Sequence, residues 1–253
     1  MSGDALALRA ACKSYGSVRA LREVSLRVAP GEFVALLGPS GAGKSTVFRC
    51  LTALALPDSG AAFVHDRRID GLRGRELREV RRSIGLIFQQ HNLIGRLSAL
   101  ENVLTGRLAD TPTWRVLLGR FARADRQLAL ASLDRVGLLE KAYVRADALS
   151  GGQQQRVAIA RVLAQQSRVI LADEPVASLD PESSRQVLAT LRTIAREHGI
   201  AVLCSLHQVD LARQYADRLV GLRDGTVVLD ATPGALDAAQ ESALYAGAAQ
   251  APV

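Results

Sequence analysis

The residues with the sharpest chemical meaning lie at positions 38–46. Gly38-Pro39-Ser40-Gly41-Ala42-Gly43-Lys44-Ser45 fills every fixed position of the pattern G-x-x-x-x-G-K-[ST], and Thr46 follows. Each fixed type has a reason. Gly41 and Gly43 permit backbone conformations that turn successive N–H groups inward, and a helix beginning directly afterwards adds its positive end to attract phosphate. Lys44 has the reach to meet terminal phosphates, and the Ser45 hydroxyl can ligate Mg²⁺. A second constellation is Val169-Ile170-Leu171-Ala172-Asp173-Glu174, an apolar strand ending in two carboxylates. Asp173 is suited to a Mg²⁺-linked water and Glu174 to polarising an attacking water. Together they imply phosphoryl chemistry on a nucleoside triphosphate, which a small-molecule kinase also carries out.

The elements that must position these groups are legible in the hydrophobic pattern. Alternating segments at Leu6 to Ala11 and Val24 to Val28 predict strands, and the apolar run Phe33 to Leu37 predicts a buried strand feeding the glycine-rich loop. A helix is expected over Ser45 to Leu54, a short strand at Ala61 to Val64, an arginine-rich helix at Glu76 to Arg82, and a strand at Ile84 to Phe88. From Gln90 to about Ala164 the pattern turns helical, with helices at Ala99 to Leu104, Arg123 to Val136 and Gln153 to Leu163. Strands at Val169 to Ala172, Ala201 to Ser205 and Leu219 to Leu222 then alternate with helices at Pro181 to Glu197 and Gln208 to Tyr215. Asp224-Gly225 reads as a hairpin turn into Thr226 to Leu229, and the alanine-rich end from Ala235 as a helix fraying into a tail.

Composition bounds the rest. With 253 residues, 48% hydrophobic and 23% charged, the chain can bury a large core and lacks the signature of disorder. No run of 18 apolar residues occurs, and the N-terminus lacks a secretory pattern, so a cytoplasmic location is expected. Cys12, Cys50 and Cys204 are widely spaced and suggest buried thiols rather than a disulfide frame or zinc site. The net charge of +7 is nearly all arginine, since Lys13, Lys44 and Lys141 are the only lysines, and it is mostly scattered. No nucleic-acid partner is expected from it.

Leu149-Ser150-Gly151-Gly152-Gln153, preceding a helix, matches the signature sequence of the ABC ATPase family. Over residues 5–230 the chain resembles that family. The resemblance implies an α/β P-loop NTPase core with an antiparallel β subdomain and an inserted helical subdomain. It also implies the boundaries: a single ABC ATPase domain over 1–253, with core and β subdomain at 1–89 and 165–230, helical subdomain at 90–164, and C-terminal helical tail at 231–253. By the same resemblance, Tyr15 stacks on adenine, Gln89 is the Q-loop glutamine and a Mg²⁺ ligand beside Ser45 and Asp173, Ser178-Leu179-Asp180 is the D-loop, and His207 is the switch histidine. Catalysis is then expected from Lys44, Gln89, Glu174 and His207. ATP contacts are expected from Tyr15, residues 38–46 (Gly38, Pro39, Ser40, Gly41, Ala42, Gly43, Lys44, Ser45 and Thr46), and Ser150, Gly151, Gly152, Gln153 and Asp180.

The implied assembly is a head-to-tail dimer of two copies, each ATP lying between one phosphate loop and the other copy's signature. Membrane permease subunits and an extracytoplasmic solute-binding protein complete it, placing the chain at the cytoplasmic face of the inner membrane. Gln89-Gln90-His91-Asn92-Leu93, Arg96-Leu97-Ser98, Glu101-Asn102-Val103-Leu104, Gly106-Arg107, Thr111-Pro112-Thr113-Trp114-Arg115, Gln153-Gln154-Gln155-Arg156, Pro175 to Pro181 and His207-Gln208-Val209-Asp210 are similar to the phosphonate-import members. Val47-Phe48 departs from them where leucines are commoner. Importers of phosphate, phosphite or amino acids are the alternatives, and a soluble ABC ATPase acting on DNA, ribosomes or iron–sulfur assembly is the rival of another class. The Trp114 to Phe121 stretch reads either as an amphipathic element facing membrane or permease or as a solvated basic helix.

Overall fold

A computed structural model describes residues 3–246. Its ten strands form two sheets. The smaller has the order β2-β1-β4-β5, with β1 Leu6–Tyr15, β2 Val18–Val28, β4 Ser59–Val64 and β5 Arg67–Arg68, all pairs antiparallel. The larger has the order β10-β9-β3-β8-β7-β6, with β3 Phe33–Leu37, β6 Ile84–Phe88, β7 Val169–Asp173, β8 Ala201–Ser205, β9 Arg218–Arg223 and β10 Thr226–Ala231. Only the β9–β10 hairpin in that sheet is antiparallel.

Strand alternation divides the core in two. Phe33, Ala35 and Leu37 of β3, with Ile170 and Ala172 of β7 and Val202 and Cys204 of β8, face the helical side. Val34, Leu36, Val169, Leu171, Ala201 and Leu203 face the smaller sheet and helix α1, Lys44–Leu51. Both faces of the parallel strands are therefore buried, which is why each reads as a continuous apolar run. On the helical side lie α3 Ala99–Leu104, α5 Arg123–Arg135, α6 Gly151–Ala164, α7 Pro181–His198 and α8 Val209–Tyr215. Helix α2 spans Gly74–Arg82, α4 Thr113–Leu117 and α9 Ala238–Tyr245.

Expected and observed elements differ chiefly where the backbone departs from regular geometry. Strands β1 and β2 run well past the predicted segments, because their pairing continues through register shifts around Ala10 and Glu23, both at positive φ. A bulge breaks the alternation that marks a strand without ending the strand. Helix α1 stops at Leu51 rather than Leu54: the Thr52 hydroxyl bonds back to the Phe48 carbonyl at 2.9 Å and Ala53 takes a left-handed conformation. Helix α6 starts two residues early, because Ser150 and Gln153 close a reciprocal capping box around its first turn. The end beyond Ala246, expected as a fraying tail, lies outside the described residues.

Candidate functional site

The parallel strands deliver their C-terminal ends to one edge of the sheet. Leu36 pairs with Ser205, Ser205 with Asp173, and Asp173 with Phe88, so the residues after Leu37, Phe88, Asp173 and Ser205 emerge side by side. Such an edge is where open α/β sheets bind ligands. The turn after β3 begins at Gly38, whose φ of 145° and contact with the Leu222 carbonyl leave no room for a Cβ. Gly43, at φ 107°, brings the loop against Ala20, where a Cβ would lie 2.5 Å from that residue's carbonyl. Glycine at these two positions is thus a requirement of turn and packing together.

Lys44 is 5% exposed and its ammonium donates to the carbonyls of Gly38 at 2.8 Å and Pro39 at 3.1 Å, arching over its own loop. Burial lowers its pKa, against the raising influence of Glu174 and Asp173. Beside it, Ser205 joins the two carboxylate residues: its hydroxyl donates to Asp173 Oδ1 at 2.7 Å and accepts the Glu174 N–H at 2.8 Å. Glu174 sits at φ 50°. One of its carboxylate oxygens lies 2.5 Å from His207 Nε2.

A cavity of about 540 Å³ opens over the loop, lined by Ser40, Gly41, Gly43, Lys44, Ser45, Thr46 and Glu174, and on the opposite wall by residues 17–20, Arg22 and Asp224. Ser45 also borders a second cavity of about 280 Å³ that contains Asp173. The donors here are oxygen atoms suited to a hard cation. No cluster of three His, Cys, Asp or Glu among the described residues forms a ready cage. That is the arrangement Mg²⁺ uses when phosphates and waters supply most of its octahedron, so the residues present fit it.

Other expected site residues stand apart. Tyr15 is 42% exposed and does not line the 540 Å³ cavity, though it pairs in register with Val18, which does. Gln89 follows β6 and lines a separate cavity of about 460 Å³ with Gln90, His91, Asn92, Asp147 and Ser178. Ser150, Gly151, Gly152 and Gln153 also lie off the phosphate-loop cavity, at the N-terminus of α6. A Cβ on Gly152 would fall 2.6 Å from Ser183 Oγ, so the first turn of α6 packs tightly on the start of α7. Asp180 caps α7, accepting from the N–H groups of Glu182 and Ser183; hydrogen bonding to Ser183 holds its carboxyl below the ordinary aspartate range.

Sequence reasoning missed Ser205, the residues of the opposite wall, and Tyr245. For Ser205 a signal existed, a lone polar residue closing an apolar strand. For Arg19, Ala20 and Arg22 there was none. Tyr245, on α9, donates from its hydroxyl to the His207 carbonyl at 3.3 Å. Helix α6 is also fastened to the segment carrying Gln89: Gln155 donates to the Phe88 carbonyl at 3.5 Å, and Arg161 to the Asn92 and His91 carbonyls at 2.7 and 3.4 Å.

A mixed α/β cassette with this phosphate loop, carboxylate pair and detached signature helix defines an ATP-binding cassette protein. The ABC transporter family model matches residues 21–177, and the chain belongs to that family. It is 54% identical over 245 residues to the hypophosphite import ATP-binding protein HtxD of Stutzerimonas stutzeri, covering 97% of this chain and 72% of that one. It is 52% identical over 234 residues to the phosphonates import ATP-binding protein PhnC 3 of a Nostoc strain, covering 92% and 88% respectively. Among solved structures it is similar to the dimeric post-hydrolysis state of the ATP-binding cassette MJ0796 bound to ADP and Pi. That match has a TM-score of 0.78 and 35% identity over 90% of this chain and 98% of that one. No helix among the described residues is long and apolar enough to cross a membrane.

Proposed function

We propose that this chain is the ATP-hydrolysing subunit that energises an ABC importer of phosphonates or the related hypophosphite. The observation that carries the ATPase reading is the convergence of the phosphate loop and Glu174 on one cavity, with His207 in contact with the Glu174 carboxylate and Asp173 at the adjoining strand end. The solute class is supported by the relatives named phosphonates and hypophosphite import proteins, which cover nearly the whole chain.

In this reading the loop N–H groups and Lys44 hold the β- and γ-phosphates, Lys44 exchanging its loop carbonyls for phosphate oxygens. Ser45 and Asp173, with Gln89, would hold Mg²⁺, which neutralises charge on the phosphates when bound. Glu174 orients and polarises water for attack on the γ-phosphorus, and His207 fixes the Glu174 carboxylate and contacts the departing phosphate. Tyr15 serves the adenine. Pro39, Ser40, Ala42 and Thr46 complete the loop around the phosphates.

The signature residues lie away from the phosphate loop of their own chain, so they complete an ATP site only on a second copy. Ser150 and the N–H groups of Gly151, Gly152 and Gln153 form a second anion cradle at a helix N-terminus. ATP bound between two copies favours closure, and loss of the γ-phosphate favours opening. Asp180 sits beside that interface. The moving units are the core with its β subdomain, residues 1–89 and 165–230, and the helical subdomain 90–164, with 231–253 as a tail. Gln89 lies at their junction. Docking on permease subunits at the cytoplasmic face of the inner membrane, with an extracytoplasmic binding protein selecting the solute, turns closure into transport.

The test is uptake of an alkylphosphonate and of hypophosphite, with phosphate for comparison, in cells carrying the native chain or Glu174→Gln. Loss of uptake of either of the first two solutes in the variant, with phosphate unchanged, is the expected result. Equal uptake by both cell types overturns the solute assignment. Wild-type hydrolysis by purified Glu174→Gln overturns the role of Glu174.

A further inference from the structure

Between Asp110 and Asp125 the chain makes an excursion that folds into α4 and a tight turn, closed by the Arg120 N–H donating to the Arg115 carbonyl at 2.8 Å and by Gly119 at φ 62°. Its base is pinned by Arg107, whose guanidinium pairs with Asp110 and Asp125, each at 2.9 Å. Inward, Val116 and Phe121 turn to the same cavity as Leu100 and Leu104 of α3. Outward, Trp114, Leu117 and Leu118 are 57%, 81% and 63% exposed. Their i, i+3, i+4 spacing puts them on one face, so the tip presents an apolar surface that nothing among the described residues covers.

The charge around that face is one-sided. Residues 111–124 contain Arg115, Arg120 and Arg123 and no acidic residue. The two flanking carboxylates are already taken by Arg107. Among the described residues, none of the three arginines has an ion-pair partner, and Arg115 lies over the Trp114 ring at 5.2 Å from its centroid. A tryptophan beside exposed leucines, with Arg115 against its ring and Arg120 and Arg123 in the same short segment, suits the headgroup boundary of an anionic bilayer: the ring and leucines enter the acyl margin while the guanidinium groups meet lipid phosphates. We infer that the tip of this excursion, residues 114–123, is an interfacial contact for an anionic lipid surface. Arg107 offsets one of the two flanking negative charges, so the three arginines of the tip outweigh the single negative charge left at its base. The inference goes beyond the ATPase reading and does not depend on the solute.

The chain contains a single tryptophan, so Trp114 is its own probe. The full chain is mixed with vesicles of phosphatidylglycerol and phosphatidylcholine, or of phosphatidylcholine alone, and Trp114 emission and vesicle co-flotation are followed. The expected result is a shift of emission to shorter wavelength and flotation with the anionic vesicles, both reversed by raised salt. Replacing Arg115, Arg120 and Arg123 together by Gln should weaken binding by about fivefold for each arginine, on the order of 100-fold in all. Leu117→Ser with Leu118→Ser should abolish the emission shift. Retained ATP hydrolysis shows that these variants are folded, and hydrolysis by a chain that ignores vesicles leaves the ATPase reading intact. Absence of any emission shift with anionic vesicles, equal binding to phosphatidylcholine alone, or wild-type binding by the arginine variant overturns the inference. A shift seen only when permease is present in the vesicles also overturns it, by making the occupant a protein.

Discussion

Replacing Ser205 by alanine isolates the smallest part of the site that the rest depends on. Ser205 is fully buried, and its hydroxyl makes two bonds, one to Asp173 Oδ1 and one from the Glu174 N–H. Losing the amide–hydroxyl bond costs about 1 kcal/mol, and losing the one to a carboxylate about 2 kcal/mol. Asp173 is partly exposed, so water recovers some of the second term, leaving about 2 kcal/mol. For a chain of this length that lowers Tm by about 4–8 °C. The larger effect falls on catalysis, because Glu174 holds a left-handed backbone conformation unusual for its type and the Ser205 bond anchors it there. A carboxylate displaced by about 1 Å costs roughly 10- to 100-fold in kcat. KM for ATP should be unchanged, since the phosphate loop is untouched. Thermal denaturation and steady-state ATPase kinetics on purified protein measure all three. Wild-type kcat in Ser205→Ala would refute the positioning argument; a lowered Tm with normal kcat would reduce the hydroxyl to a structural bond.

Two further predictions concern the groups around it. Burial lowers the Lys44 pKa, so the folded chain disfavours the cation: that cost is present below the folded pKa and is relieved as pH rises through it toward the ordinary value of 10.5. Phosphate binds the charged form, so ATP affinity should fall at a lower pH than for an ordinary lysine, with proton uptake on binding. Titration calorimetry in buffers of different ionisation enthalpy checks this, and an affinity flat up to the ordinary lysine pKa contradicts it. Tyr245→Phe keeps the ring but removes the bond to the His207 carbonyl; kcat should drop roughly 2- to 5-fold. The same rate as wild type in a stopped-flow phosphate-release assay would detach α9 from the site.

What the sequence by itself determined was the chemistry whose partners are neighbours along the chain. The loop at 38–46, the carboxylates closing β7 and the apolar runs of the parallel strands were legible because glycine φ preference, side-chain type and burial on both faces act locally. The limits of local reading show at β1 and β2, where left-handed residues at Ala10 and Glu23 interrupt the alternation while pairing continues. Tertiary structure alone decided which of these groups meet. Ser205 reaches back 31 residues to Glu174 only because β8 lies beside β7, and Tyr245 reaches His207 across 38 residues only because α9 folds onto that edge. It also decided which groups stay apart: α6 turns its signature residues away from the phosphate loop, and Gln89 faces a different cavity from Lys44. Spacing along a chain carries no information about such separations, because strand order and helix packing set them, and both depend on contacts between residues far apart in sequence.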